Sequence, residues 1–142
     1  MSSANFSHCI PFLPVKNLEE TISFYRDVLG FRDEWYWGTP HTDAGIGRDA
    51  LNLLFVANPE FVQAINNDQH RLEICVFVSN VDELFKDFKA RGVAILSELK
   101  NEPWNVREFS IIDCNGYVLR IGEGLENEPL ETHSMINQNE NR

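Results

Sequence analysis

Trp35 and Trp37 stand two positions apart in the run 31–37, and that spacing puts both rings on one face of a β-strand. Trp104 precedes a second such run, Arg107 to Ile112, and Phe55 and Phe109 sit in runs of the same kind. Rings gathered in this way bury a large area at small entropic cost and stack on flat heteroaromatic groups. Asp33, Glu34, Asp43 and Glu108 lie near them in sequence and would hold a cation, which the ring faces also attract. The chemistry on offer is recognition of a flat, cationic small molecule. A plainer reading stands beside it. Any domain of this size buries several Trp and Phe, so at least two of these rings serve equally well as core. For Arg107 and Glu108 the plain reading is an exposed edge-strand ion pair worth under about 1 kcal/mol.

Catalytic sets are harder to find. There is no G-x-S-x-G, and no cysteine (Cys9, Cys75, Cys114) with a plausible His base can be placed from sequence. Cys9 and Cys75 lie in strand-like runs and read as small buried thiols; an odd count without C-x-x-C spacing argues against a disulfide framework. His8, His41, His70 and His133 are scattered and read as surface residues. Glu73 and Arg120 could pair across the cup floor, a structural contact that weighs at least as much as a general-base role.

The elements that must position these residues come in two copies. Leu13-Pro14-Val15-Lys16-Asn17-Leu18-Glu19-Glu20 returns as Val76-Phe77-Val78-Ser79-Asn80-Val81-Asp82-Glu83. In each copy an apolar strand leads to an Asn that caps an acidic amphipathic helix, and a glycine, Gly30 or Gly92, ends it. Asn17 and Glu20 have capping-box spacing. The first strand, 8–15, must lie at an edge or carry a bulge, because Pro11 and Pro14 cannot donate to a ladder on both sides. Runs 31–37, 42–47 and 51–56 complete a first βαβββ unit. The second repeats the order with 72–78, a helix on Val81, Leu84, Phe85 and Phe88, a strand from Val93, and a hairpin turning at Asp113-Cys114-Asn115-Gly116. Residues 58–69 form a polar connection with one helical turn around 61–65. The expected fold is α+β, two βαβββ modules (8–57 and 70–122) forming a cupped sheet within a single domain, 1–122.

Charge narrows the partners. The 142 residues carry a net charge of −10, and phosphate binding needs concentrated Lys and Arg, which argues against nucleic acid. About four of those units fall in 123–142, an Asn- and Glu-rich stretch expected to be a disordered acidic tail. No apolar run approaches the roughly 20 residues of a membrane span, and the N-terminus lacks a signal-peptide pattern, so a cytoplasmic protein is expected.

Two stretches carry a family resemblance. Ile10-Pro11-Phe12-Leu13-Pro14-Val15 leads to Phe24-Tyr25-Arg26-Asp27-Val28-Leu29-Gly30-Phe31, and Glu102-Pro103-Trp104-Asn105-Val106-Arg107-Glu108-Phe109 leads to the turn at Asp113. With the tandem βαβββ order, residues 8–122 resemble the vicinal oxygen chelate superfamily of glyoxalases, extradiol dioxygenases and bleomycin-resistance proteins, and most of all its bleomycin-resistance branch. That branch has one residue between its Trp and Arg; here Asn105 and Val106 make two. The resemblance implies a homodimer whose grooves are built from both subunits. Its ligand would be a bleomycin-like antibiotic, sequestered stoichiometrically without chemistry, and held by Trp35, Trp37, Phe55, Trp104, Arg107, Glu108, Phe109 and Arg120. It also locates the metal ligands of the superfamily's enzymes, which fall here on Ile10, Glu73 and Arg120. Ile10 cannot ligate and Arg120 would repel a divalent cation, so no metal, no cofactor and no catalytic residue are expected. Two alternatives remain. One is a metal-dependent lyase, transferase or dioxygenase using Glu73 and a displaced His8; the other is a binding module for an unrelated metabolite.

Overall fold

The structure, a computed structural model, describes residues 2–125. It forms two compact units that divide between Ile65 and Asn66. In the first, strand β1 (Phe12–Val15) leads into helix α1 (Leu18–Ser23), which continues as a π-helical turn over Phe24–Val28. Strands β2 (Arg32–Trp37), β3 (Asp43–Arg48) and β4 (Leu51–Ala57) follow, then helix α2 (Pro59–Ile65). The sheet order is β1-β4-β3-β2, with β1 parallel to β4 and the other pairs antiparallel. The prolines explain the place of β1: it is an edge strand, as Pro11 and Pro14 require. It is also shorter than expected. Residues 8–10 lie outside the ladder, so Cys9 is exposed and not the buried thiol that its surroundings suggested.

One face of this sheet is covered. Helix α1 packs on β3 and β4, burying Ile22 and Tyr25 against Ile46, Leu53 and Phe55. The Tyr25 ring lies 5.3 Å from that of Phe55 and 5.2 Å from that of Phe31. Gly30 closes the helix at φ 78°, a left-handed conformation that suits a residue without Cβ.

The second unit has the same plan. Strand β5 (Glu73–Phe77), helix α3 (Val81–Ala90) and strands β6 (Ile95–Asn101), β7 (Val106–Ile112) and β8 (Val118–Gly124) assemble in the order β5-β8-β7-β6, with β5 parallel to β8. Helix α3 covers one face, and Phe85 and Phe88 meet Phe109 at 5.1 and 6.0 Å. The Asp113 turn forms as its sequence predicts. The Asp113 carboxylate accepts from the amides of Asn115 and Tyr117 at 2.8 and 2.9 Å, and Gly116 takes φ 84°. The tandem α+β βαβββ order is therefore present.

The two helix starts differ. Asn17 Oδ1 accepts from the Glu20 amide at 2.8 Å, the expected cap. Asn80 does not repeat it: its backbone is left-handed at φ 59° and its side chain makes no capping bond. The cap comes instead from Glu123, whose carboxylate accepts from the amides of Val81 at 3.0 Å and Asn80 at 3.2 Å. Glu123 is thus a structural residue of β8 and not the start of an acidic tail; 126–142 lies outside the described residues. Among the described residues no helix is long and apolar enough to cross a membrane.

Candidate functional site

Strand alternation sorts the side chains of β7 and β8 onto two faces. Phe109, Ile111, Leu119 and Ile121 turn toward α3, which leaves Glu108, Ser110, Arg120 and Gly122 on the face that α3 does not cover, where Glu108 and Ser110 are nonetheless buried. Cys75 is the ladder partner of Arg120, so the alternating residues Glu73, Cys75 and Phe77 of β5 share that face.

A clamp forms there. Arg120 donates from Nε to Glu108 Oε2 at 3.0 Å and from Nη2 to Oε1 at 3.1 Å, a side-on bidentate pair. The Trp104 indole Nε1 donates to Glu108 Oε1 at 2.7 Å, and its ring lies under the guanidinium, 5.5 Å from Cζ to centroid. Glu108 is only 9% exposed, while the Arg120 side chain keeps 30% of its surface. The hydrogen bonds to Glu108 hold the Arg120 pKa well above its ordinary value. Glu73, the candidate partner of Arg120, approaches Nη1 at 3.6 Å, an ion-pair contact too long for a hydrogen bond. Cys75, Phe77, Trp104, Val106, Glu108 and Arg120 line a depression of about 80 Å³. Cys75 therefore faces outward and is exposed, a correction to its expected burial.

The other named residues fall elsewhere. Arg107 is not the ion-pair partner of Glu108; successive residues of a strand point to opposite faces, and Arg107 reaches back to α3. Its Nη2 donates to Asp82 at 2.9 Å and its Nη1 to Asn101 at 3.0 Å. The hydrogen bond from Arg107 lowers the Asp82 pKa. Phe55 and Phe109 are fully buried under α1 and α3, so both are core and leave the set of ligand-facing candidates. Trp35 and Trp37 do share the open face of the first sheet, opposite Gly45 and Asp43, and Trp37 is 68% exposed. Asp43 accepts from the Thr42 hydroxyl at 2.6 Å, and Glu34 is taken by Arg26 at 2.7 Å. Phe77 and Cys75 went unnamed as site residues, although Glu73 fixes their face by simple alternation.

The register also tests the metal. Phe12 pairs with Leu54 as Cys75 pairs with Arg120, so Leu54 holds the place in the first unit that Arg120 holds in the second. The corresponding donor set, Ile10, Leu54, Glu73 and Arg120, offers one carboxylate and one fixed cation, and does not fit a divalent metal. His8 is exposed and hydrogen-bonded to its neighbour Ser7. Among the described residues no three His, Cys, Asp or Glu side chains gather closely enough to hold a metal ion.

Comparison with known proteins gives this geometry a setting. A bleomycin-binding protein from bleomycin-producing Streptomyces verticillus, in complex with copper(II)-bleomycin, is similar at 22% identity over 85% of this chain and 98% of that one, with a TM-score of 0.68. TioX from Micromonospora sp. ML1 is similar at 21% over 84% and 100%, with a TM-score of 0.68. A lactoylglutathione lyase from Agrobacterium tumefaciens is similar at 21% over 85% and 96%, with a TM-score of 0.64. Identities this low speak for the fold alone. A search of curated protein sequences gives no significant match. The family model described as the Glyoxalase/Bleomycin resistance protein/Dioxygenase superfamily matches residues 5–121, and the chain belongs to that superfamily.

Proposed function

We propose that the protein binds and sequesters a flat, cationic aromatic small molecule of the bleomycin type, and that it does so without metal or catalysis. The observation that carries this reading is the Arg120 guanidinium, clamped by Glu108 and stacked on Trp104 where the superfamily's enzymes hold a ligand to metal. A fixed cation there removes the Lewis acid and leaves a recognition surface. The rings of Trp104 and Phe77 supply stacking area beside it. Similar folds whose structures contain bleomycin or copper(II)-bleomycin support the ligand class.

The proposal includes a homodimer in the cytoplasm. A depression of about 80 Å³ is far below the roughly 300–1,000 Å³ that encloses a drug-sized ligand, so the ligand needs walls beyond this face. Two drug molecules per dimer then make the protein a stoichiometric trap. A lyase function, suggested by one similar fold, has no metal donor set among the described residues to support it.

Calorimetric titration of EDTA-treated, dialysed protein with metal-free bleomycin, with tryptophan emission followed in parallel, tests the proposal. Micromolar or tighter binding near one drug per chain is expected, weakened at least tenfold by Trp104→Ala. Absence of heat and of any emission change would refute it, as would a stoichiometric divalent metal in freshly purified protein.

A further inference from the structure

The clamp on Arg120 is one-sided, and the unused side is specific. Glu108 takes Nε and one hydrogen of Nη2, while Nη1 makes no hydrogen bond among the described residues. Its nearest acceptor is Glu73, 3.6 Å away and 56% exposed. Arg120 lines the depression whose exposed ring, Phe77, is 55% accessible, and Glu73 stands outside that lining, two residues along β5 from Cys75, which does line it. A donor and an acceptor thus stand side by side, both unsatisfied at hydrogen-bond distance.

We propose that this Arg120–Glu73 edge is a subsite for a primary carboxamide attached to an aromatic ring, whose N–H syn to the oxygen lets one edge both accept and donate. The amide oxygen accepts from Arg120 Nη1 and the amide N–H donates to Glu73. The inference rests on the binding reading above and names the group that the site reads. Standard amide bond lengths put its oxygen and nitrogen about 2.2 Å apart. Two hydrogen bonds of about 2.9 Å then splay outward to meet partners at 3.6 Å without moving either side chain. Size agrees: a depression of about 80 Å³ takes a small polar group and not a whole ligand, which needs roughly 300–1,000 Å³. The attached ring then lies against Phe77 and Trp104. A carboxylate fits less well, because Glu73 and Glu108 already outnumber the single guanidinium and would repel a third negative charge.

The test uses the full chain, labelled with ¹⁵N and titrated with three probes while the Trp104 indole and Arg120 Nε signals are followed by NMR. The probes are 2-naphthamide, its N,N-dimethyl derivative and 2-naphthoate. The primary amide is expected to shift both signals and to bind at least tenfold tighter than either of the others. Glu73→Ala, a change at an exposed side chain, is expected to abolish the preference over the dimethyl amide while stacking still moves the Trp104 signal. Equal binding of the dimethyl amide or the naphthoate, a preference that survives Glu73→Ala, or no shift with any probe would overturn the proposal. Parallel titration with metal-free bleomycin separates the two readings. Drug binding without amide preference removes this subsite and leaves sequestration standing, and amide preference without drug binding does the reverse.

Discussion

The two modules match rung for rung on the faces their helices cover, and diverge on the faces left open. Under α1 the pairs are Ile46 with Leu53 and Ala44 with Phe55; under α3 they are Ile111 with Leu119 and Phe109 with Ile121. The large ring changes strand, from β4 in one module to β7 in the other, and the volume beneath the helix stays filled. On the open faces the same rungs carry unlike chemistry. Phe12 with Leu54 becomes Cys75 with Arg120, and Asp43 with Val56 becomes Glu108 with Gly122. A repeated backbone is thus kept by apolar packing, while the faces free of that duty hold a bare aromatic surface in one copy and a charged clamp in the other.

The sharpest way to break this comparison is to strip the clamp and its counterpart alike. Arg120→Met leaves the Glu108 carboxylate, 9% exposed, with Trp104 alone, and is expected to cost about 2–3 kcal/mol in urea unfolding. The value falls below the roughly 3–5 kcal/mol of fully buried pairs because Arg120 keeps 30% exposure. Leu54→Met, the matched change, is expected to cost under about 1.5 kcal/mol. The double variant Arg120→Met, Glu108→Leu is expected to recover most of the loss, since an apolar replacement removes both desolvated charges. A loss under about 1 kcal/mol for Arg120→Met would mean that the clamp does not bear on stability and that the modules are alike after all.

Two glycines give a smaller contrast. A Cβ on Gly122 would meet Val106 Cγ1 at 2.5 Å and Glu108 Cβ at 3.2 Å, and Val106 is buried with nowhere to go. Gly122→Ala is therefore expected to cost about 1–2 kcal/mol. On Gly45 the Cβ would meet the Trp35 ring at 2.4 Å, but that ring lies on an open face and can swing away. Gly45→Ala is expected to cost under about 1 kcal/mol and to change tryptophan emission instead. Equal stability losses would show that the first open face is packed as tightly as the second.

Much of the fold was legible because it rests on local signals: two-residue alternation, helical spacing, Gly30 and Gly92, and the Asn115-Gly116 turn. The site was legible by type and illegible by partner. Trp35 and Trp37 were paired correctly because alternation needs no tertiary knowledge. Arg107 and Glu108 were paired wrongly although the same rule sends neighbours to opposite faces. Phe55 and Phe109 were misassigned for separate reasons. The sequence of β4 is largely apolar on both parities, so periodicity cannot say which face a helix will cover. In β7, Glu108 and Ser110 alternate with Phe109 and Ile111, and alternation already sets Phe109 on the face opposite Glu108. The clamp itself joins residues 104, 108 and 120 across a hairpin whose register is set only when the strands pair.

The helix caps give the smallest contrast and the one most hidden by the repeat. Asn17 and Asn80 occupy corresponding places, yet only Asn17 bonds an orphan amide of its helix. Asn17→Ala is expected to cost about 1 kcal/mol. Asn80→Gly is expected to be neutral or slightly stabilising, because a glycine at φ 59° is less strained than an asparagine that caps nothing. The loss reappears in Glu123→Ala, again about 1 kcal/mol, since its carboxylate serves two amides at the positive end of α3. Chemical unfolding of the three variants decides it. If Asn80→Gly destabilises as much as Asn17→Ala, the repeated asparagine caps both helices and the role of Glu123 falls. If only Asn17→Ala and Glu123→Ala do, the same helix start is held in one module by the residue before it and in the other by a strand forty residues away in sequence, and the repeat is a repeat of shape alone.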